Sequence, residues 1–139
     1  MNKDQYQVLC SRRQAFDNFV WQTPPLATAA QAFLLAASFA PETTKEISVI
    51  LAAFSGIVGL ASVQLMAKHR HGEIEDAELL GRFEADHTED GYSILHGKDR
   101  IRLMKTNIFT QRSSFQIWIF VLSGFVALAL YAIYAAAMR

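Results

Sequence analysis

The chain of 139 residues has the length of one ordinary domain, and its formal net charge is zero. A balanced charge argues against nucleic-acid binding driven by global charge. The composition, 52% hydrophobic and 19% charged, would fit a soluble protein if the two classes alternated, but they are separated into long blocks. These blocks predict an all-α integral membrane protein formed by a single membrane domain.

The first element, residues 4–22, has apolar residues three and four positions apart, among them Leu9 and Phe16. That spacing predicts an amphipathic helix. Its apolar face can lie among lipid headgroups or pack against the cytoplasmic part of the same chain, and both alternatives stay open. Pro24 and Pro25 predict the end of this helix and the start of the next, because proline is tolerated in a first helical turn but not in a helix interior.

Three uncharged runs, residues 25–40, 47–67 and 115–138, are predicted to be transmembrane spans. A helix rises about 1.5 Å per residue, so about 20 apolar residues match a hydrocarbon core of roughly 30 Å. The second and third runs reach that length. The first is near the lower limit and rich in alanine, so a buried or interfacial helix is its alternative. Pro41 ends the first run, and the short link after it predicts an antiparallel hairpin.

One long polar segment, residues 68–114, separates the second and third spans. Apolar residues at helical spacing continue from the second run, which predicts that its helix extends beyond the membrane into the cytoplasm. Residues 87–91 predict a turn, because Asp-Gly favours a tight reversal. A second helix over residues 92–107 is predicted to return along the first and complete a cytoplasmic helical hairpin.

The positive charges predict the orientation in the membrane. Eleven of the 13 lysine and arginine residues lie in the N-terminal segment and in residues 68–114. Because lysine and arginine near span ends stay cytoplasmic, we expect the N-terminus inside and the C-terminus outside the inner membrane of a bacterium. The polar start of the chain lacks the apolar stretch of a cleavable signal peptide, so the first span is expected to direct insertion. The one cysteine, Cys10, excludes an intramolecular disulfide.

Small residues four positions apart form flat stripes on two of the predicted spans, and such stripes let membrane helices approach closely. They predict helix packing and a homo-oligomer, with packing inside one subunit as the alternative. The residues are Ala52, Ser55, Gly56 and Gly59 in the second span and Ser123, Gly124 and Ala127 in the third.

Polar side chains within the spans are few and uncharged. Gln31 and Ser55 are predicted either to hydrogen-bond between helices or to line a pore formed by several subunits. The spans contain no Asp, Glu, Lys, Arg or His, which argues against a proton-coupled pump or a secondary transporter.

Basic side chains near the cytoplasmic ends of the spans are predicted to contact anionic membrane lipids, a soluble cytoplasmic protein or a nucleotide. They are Arg12, Arg13, Lys68, Arg70, Arg100, Arg102 and Lys105.

The histidines raise the question of a metal site. His69 and His71 are two residues apart and point about 200° apart on a helix, whereas a helical metal pair needs a separation of three or four. These histidines and the acidic residues beyond them, Glu73, Glu75 and Asp76, are therefore predicted to form a solvated face without a metal. No catalytic motif, phosphate loop or zinc signature is present, so we expect neither an enzyme nor a cofactor.

Two stretches, RQAFDNFVWQTPPLATAAQAFLL at residues 13–35 and SVQLMAKHRHGEIEDAELLGRFE at residues 62–84, resemble a group of small uncharacterised bacterial three-span membrane proteins. The layout of paired spans with a cytoplasmic helical extension is similar, more distantly, to SLATT-type membrane effectors of bacterial anti-phage and nucleotide-signalling systems. The resemblance implies an oligomeric channel or pore-forming effector regulated through its cytoplasmic helices, and it carries over no site residues. The alternative is a membrane anchor or adaptor that recruits a soluble partner through residues 68–114.

Overall fold

A computed structural model describes residues 3–91, 93, 95, 96 and 114–138 of the chain. Over these residues the protein is all-helical, as the sequence predicts. Its elements are α1 (Lys3–Ser38), α2 (Lys45–Asp86), a short 3₁₀ helix (Thr88–Asp90) and α3 (Ser114–Ala137).

The first helix is longer than the sequence predicts. It continues through Pro24 and Pro25, so the expected end of an amphipathic helix at this pair is wrong. A proline in a helix interior removes one hydrogen bond and crowds the carbonyl four residues earlier. In α1 the ring of Pro24 is fully buried, and its packing, with the intact helix on either side, offsets that cost. Residues 4–22 are therefore the first part of one 36-residue helix.

The second helix confirms the extension predicted beyond the apolar run, because α2 is continuous for 42 residues. The predicted turn at residues 87–91 is also confirmed. Gly91 there adopts a left-handed φ of 85°, which glycine tolerates without strain, and its amide donates to the Thr88 carbonyl at 3.2 Å. Ser93, Leu95 and His96 have no regular structure, so the predicted helix is wrong for these three residues. The rest of that predicted helix lies outside the described residues.

Two helices of the described chain, α2 and α3, are long and apolar enough to cross a membrane. Helix α3 coincides with the predicted third span to within one residue at each end. Helix α1 is not among the candidates found in the described residues, so the first of the three spans stays a prediction.

The chain divides into two compact units. Unit 1 comprises Met1–Val20 and Ala67–Ser113, and unit 2 comprises Trp21–Met66 and Ser114–Arg139. The buried core of unit 2 consists of two clusters that combine four alanines with three large apolar side chains. One cluster is Leu35, Ala52, Ala129 and Ala132, and the other is Ala27, Met66 and Leu122. In unit 1, buried apolar side chains share the interior with buried carboxylates.

Candidate functional site

Paired charges hold the two helices of unit 1 together. Arg12 donates to both carboxylate oxygens of Asp76, from Nε at 2.7 Å and from Nη2. Arg13 lies 3.7 Å from Glu73, which is also paired with Arg70 on its own helix. Both carboxylates are buried. Removing one partner of such a pair strongly destabilises the fold, because it leaves a buried charge unpaired.

Glu84 is fully buried and accepts four hydrogen bonds from described residues. Its Oε1 accepts hydrogen bonds from the Tyr6 hydroxyl at 2.7 Å and from His96 Nδ1 at 2.5 Å. Its Oε2 accepts from the backbone amides of Leu95 at 2.7 Å and His96 at 2.8 Å. One carboxylate therefore joins α1, α2 and the segment that follows the turn.

These contacts set the protonation of Glu84 and Tyr6. Burial alone would raise the pKa of Glu84, but the hydrogen bonds from Tyr6, from the His96 ring and from two backbone amides outweigh it and hold the pKa below its usual value. The bond to Glu84, together with burial and a hydrogen bond with Cys10, raises the pKa of the Tyr6 hydroxyl. At neutral pH Glu84 is thus an acceptor and Tyr6 a donor.

His69 packs against two aromatic rings of α1. Its ring centroid lies 5.8 Å from that of Phe16 and 5.1 Å from that of Phe19. The helices approach closely here, because a Cβ added at Gly72 would lie 2.9 Å from the Phe16 ring. The glycine is therefore needed for this contact.

The predicted solvated face is wrong for Glu73 and Asp76, which are buried in the interface between α1 and α2. It holds for His71 and Glu75, which are exposed and lie 3.0 Å apart. The signal for the buried acids was present in their spacing. Glu73, Asp76, Leu80 and Glu84 are three, four and four residues apart, which places all four on one face of a helix.

The basic residues predicted to contact lipid or a partner have different surroundings. Arg12, Arg13 and Arg70 are engaged with the buried acids of α2, whereas Lys68 is exposed. The remaining three, Arg100, Arg102 and Lys105, lie outside the described residues.

The small-residue stripe of the second predicted span is occupied within the chain. Ala52 and Ser55 are fully buried. A Cβ at Gly59 would lie 2.3 Å from Gln31 Nε2 and 2.6 Å from Val126 Cγ2, so only glycine fits without displacing a neighbour. Gly56 is in looser contact, its added Cβ being 3.7 Å from Ala129.

The stripe on α3 has the opposite surroundings. Ser123, Gly124 and Ala127 are all exposed, and a Cβ added at Gly124 would meet no atom of the described chain within 4 Å.

Neutral polar side chains tie α1 to α2 within unit 2. Gln31 Nε2 donates to the Ser55 carbonyl at 3.3 Å, and Ser55 Oγ donates to the Gln31 carbonyl at 3.4 Å. Two turns along α1, Ser38 and Ser48 repeat the exchange, each hydroxyl donating to the other's carbonyl at 2.9 and 2.8 Å. The structure therefore places Gln31 and Ser55 in an interhelical contact. Sequence reasoning did not single out the Ser38–Ser48 pair, because serines near span ends are common.

The described part of unit 1 has cavities on different sides of α1, two of which concern the residues above. One, of about 240 Å³, is lined by His96 and by Cys10, Arg13, Gln14 and Asp17. The other, about 670 Å³, is an open groove between α1 and α2, which we call the acidic-rimmed groove. Its lining consists of Asp4, Gln5, Val8, Leu9, Arg12, Leu79, Phe83, Asp86 and His87.

No protein-family model, curated protein or solved structure matches this chain. Within the residues that the structure describes, no three His, Cys, Asp or Glu side chains are grouped so that they could hold a metal ion.

Proposed function

We propose that the chain is an integral protein of a bacterial inner membrane, with three spans and unit 1 in the cytoplasm, and that it anchors a soluble partner through unit 1. The observation that carries this proposal is the distribution of exposed apolar side chains. Most of the large ones among the described residues belong to unit 2. Unit 1 instead exposes charged side chains such as Asp4, Lys68, Glu75 and Asp86, which suits a unit surrounded by water.

The first span is supported by the exposed side chains of α1 within unit 2. Leu26 is 72% exposed and Phe33 is 75% exposed, comparable to Leu60 of α2 at 62% and Phe120 of α3 at 81%. Large apolar side chains exposed on every helix of a bundle are unfavourable in water and favourable in lipid. The membrane environment therefore accounts for α1 as well as for the two more apolar helices.

The proposed orientation follows from the basic residues and fits a contact in unit 2. Lys45, the first residue of α2 after the α1–α2 link, donates from Nζ to the carbonyl of Ala137 at 3.1 Å. A lysine on the last carbonyls of a helix is also favoured by the helix dipole. The α1–α2 link and the C-terminal end of α3 thus lie at the same end of unit 2, as an N-terminus inside and a C-terminus outside require.

The polar side chains of unit 2 favour an anchor over a pore, because they hydrogen-bond between α1 and α2. Gln31 and Ser55, the residues proposed to line a pore, are fully buried and bonded to each other's carbonyls. The Gln31 amide nitrogen and the Ser55 hydroxyl would have to leave these bonds before they could line a pore.

A second candidate function is the oligomeric channel or pore-forming effector regulated through the cytoplasmic helices. The exposed stripe of Ser123, Gly124 and Ala127 favours it, because a second copy could pack closely against so flat a surface. The resemblance to small three-span membrane proteins and to SLATT-type effectors points in the same direction.

One pair of measurements separates the two candidates. The full-length protein is crosslinked in its native membranes and purified, and the same protein is reconstituted into liposomes for ion-flux recording. An anchor is expected to bring down a cytoplasmic protein in a fixed ratio and to leave the liposomes tight. Ion flux from the protein alone, with no cytoplasmic protein in a fixed ratio, would instead support the channel.

A further inference from the structure

We propose that the acidic-rimmed groove of unit 1 is a docking site for a basic amphipathic helix of a soluble protein partner. The proposal rests on the anchoring function and names the chemistry of what is anchored.

The groove has the shape that a helix needs. Its lining on α1 recurs along one face from Asp4 to Arg12, a length of about 12 Å at 1.5 Å per residue. The facing wall on α2 uses Leu79 and Phe83, one turn apart. Two parallel rows of side chains with a trough between them match the helix-in-groove mode of recognition, in which an apolar helix face binds through residues three and four apart.

The groove also has an apolar interior that nothing in the described chain covers. Two of its apolar lining residues, Leu9 and Phe83, are buried. The other two, Val8 and Leu79, are 68% and 49% exposed. The Phe83 ring is held in place by Tyr6 at 5.5 Å and by His87 at 4.1 Å between ring centroids. A fixed floor with exposed apolar walls favours binding, because little side-chain freedom is lost when a partner enters.

Among the described residues after the turn, His96 lies on the other side of α1 and does not enter the groove. His96 is bonded to Glu84 and shares its cavity with Cys10 and Gln14. On α1, the lining of that cavity is centred about half a turn around the helix from the lining of the groove.

The charge of the rim selects the partner. Asp4 and Asp86 are exposed on the two helices at the edge of the groove. The one arginine of the lining, Arg12, is bonded through its guanidinium to Asp76. An apolar floor between two acidic edges complements a helix with an apolar face flanked by lysine or arginine. The same acidic edges disfavour the headgroups of anionic lipids and a second copy of the groove, both of which bring negative charge.

The probes that test the proposal are two synthetic 18-residue helical peptides. They share leucines at spacings of three and four and differ only in carrying lysine or glutamate at the flanking positions. The full-length protein is held in nanodiscs of phosphatidylcholine, which has no net charge to attract either peptide, and binding is followed by fluorescence anisotropy. Empty nanodiscs give the lipid background. The lysine peptide is expected to bind saturably and at least about 10-fold more tightly than the glutamate peptide.

Substitutions locate the binding. Leu79→Asp and Val8→Asp, on separate helices, are each expected to weaken the lysine peptide at least about 10-fold, with helicity by circular dichroism checked for each. The matched control is Ile74→Asp, since Ile74 is 40% exposed on the same helix and outside the groove. It is expected to leave binding unchanged. Asp86→Lys is expected to reduce the difference between the two peptides.

Several outcomes would overturn the proposal. They are the absence of saturable binding, equal binding of the two peptides, and equal losses from Ile74→Asp and Leu79→Asp. A doubling of the protein's mass that Val8→Asp abolishes would assign the groove to a second copy. These failures are distinct from failure of the anchoring function, which would remain if a cytoplasmic protein still co-purified with the Leu79→Asp variant.

Discussion

The same two helices associate by different chemistry in the two units. In unit 1, α1 and α2 are joined by buried carboxylates with arginine, tyrosine and histidine donors. In unit 2 they are joined by a glycine, reciprocal serine hydroxyls and a glutamine amide. A buried charge needs a strong partner and tolerates nearby water, whereas a membrane interior favours neutral groups that satisfy each other. The difference fits the proposal that unit 2 is the part surrounded by lipid.

The largest expected effect comes from removing the carboxylate at the centre of unit 1. Glu84→Ala leaves the Tyr6 hydroxyl, the His96 ring and two backbone amides without their acceptor. We expect the free energy of local opening in unit 1 to fall by about 3 to 5 kcal/mol. Hydrogen exchange followed by mass spectrometry on residues 3–20 measures it. Glu75→Ala is the control, since that side chain is exposed, and equal effects of the two changes would show that burial of Glu84 is unimportant.

The next effect tests the close packing of unit 2. Gly59→Ala places a methyl group against Gln31 and Val126, and overpacking of this kind costs about 1 to 3 kcal/mol. The matched change, Gly124→Ala on α3, meets no neighbour in the described chain and gains about 0.5 to 1 kcal/mol of helix propensity. Thermal unfolding in one detergent is therefore expected to give a lower melting temperature for the first variant only. The reverse order would contradict the packing described here.

Protonation of Glu84 is expected to destabilise unit 1 less than deletion of its side chain does, because a protonated carboxyl still accepts hydrogen bonds. Its pKa is lower in the folded protein than in the unfolded chain, so the stability it contributes is present above the unfolded value of about 4.3 and is lost as the pH falls through the folded value. Hydrogen exchange from pH 7 to pH 3 measures this loss for unit 1. Glu84→Gln removes the ionisation, so the variant is expected to have a shallower pH dependence, and identical slopes would exclude Glu84 as a contributor.

The smallest expected effect is at the serine pair of unit 2. Ser38→Ala removes one of two reciprocal hydrogen bonds, and interhelical bonds in membrane proteins average about 0.6 kcal/mol. A melting-temperature decrease smaller than that of Gly59→Ala is expected. Ser123→Ala, at an exposed position of α3, serves as the control and is expected to have no effect on the folded monomer. A larger loss at Ser123 than at Ser38 would place the important polar contact on α3.

Local pattern was enough to predict the helices but not how they pair. Hydropathy and a spacing of three and four predicted α2 beyond its apolar run and α3 almost to the residue. Because proline is disfavoured in a helix interior, the sequence predicted a break at Pro24 and Pro25, but α1 continues through them. The packing of the buried proline ring that compensates is a tertiary contact, and it has no local sequence signal.

The contacts of unit 1 were missed for the same reason. Arg12 and Asp76 are 64 residues apart, and Tyr6 and Glu84 are 78 residues apart. The spacing of the acids on α2 indicated a common face, but an acidic face is usually solvated. Donors from α1 and from the segment after the turn help to make its burial favourable, and which elements face it cannot be read from α2 alone.

The central claim, that unit 2 is embedded in lipid with unit 1 in the cytoplasm, is tested most directly by thiol accessibility in intact bacteria. In a Cys10→Ser background, one cysteine is introduced at exposed Glu42 in the α1–α2 link or at exposed Glu75 in unit 1. A membrane-impermeant maleimide is expected to label the Glu42→Cys protein in intact cells and the Glu75→Cys protein only after the membrane is permeabilised. Labelling of Glu75→Cys in intact cells, or protection of Glu42→Cys there, would contradict the account.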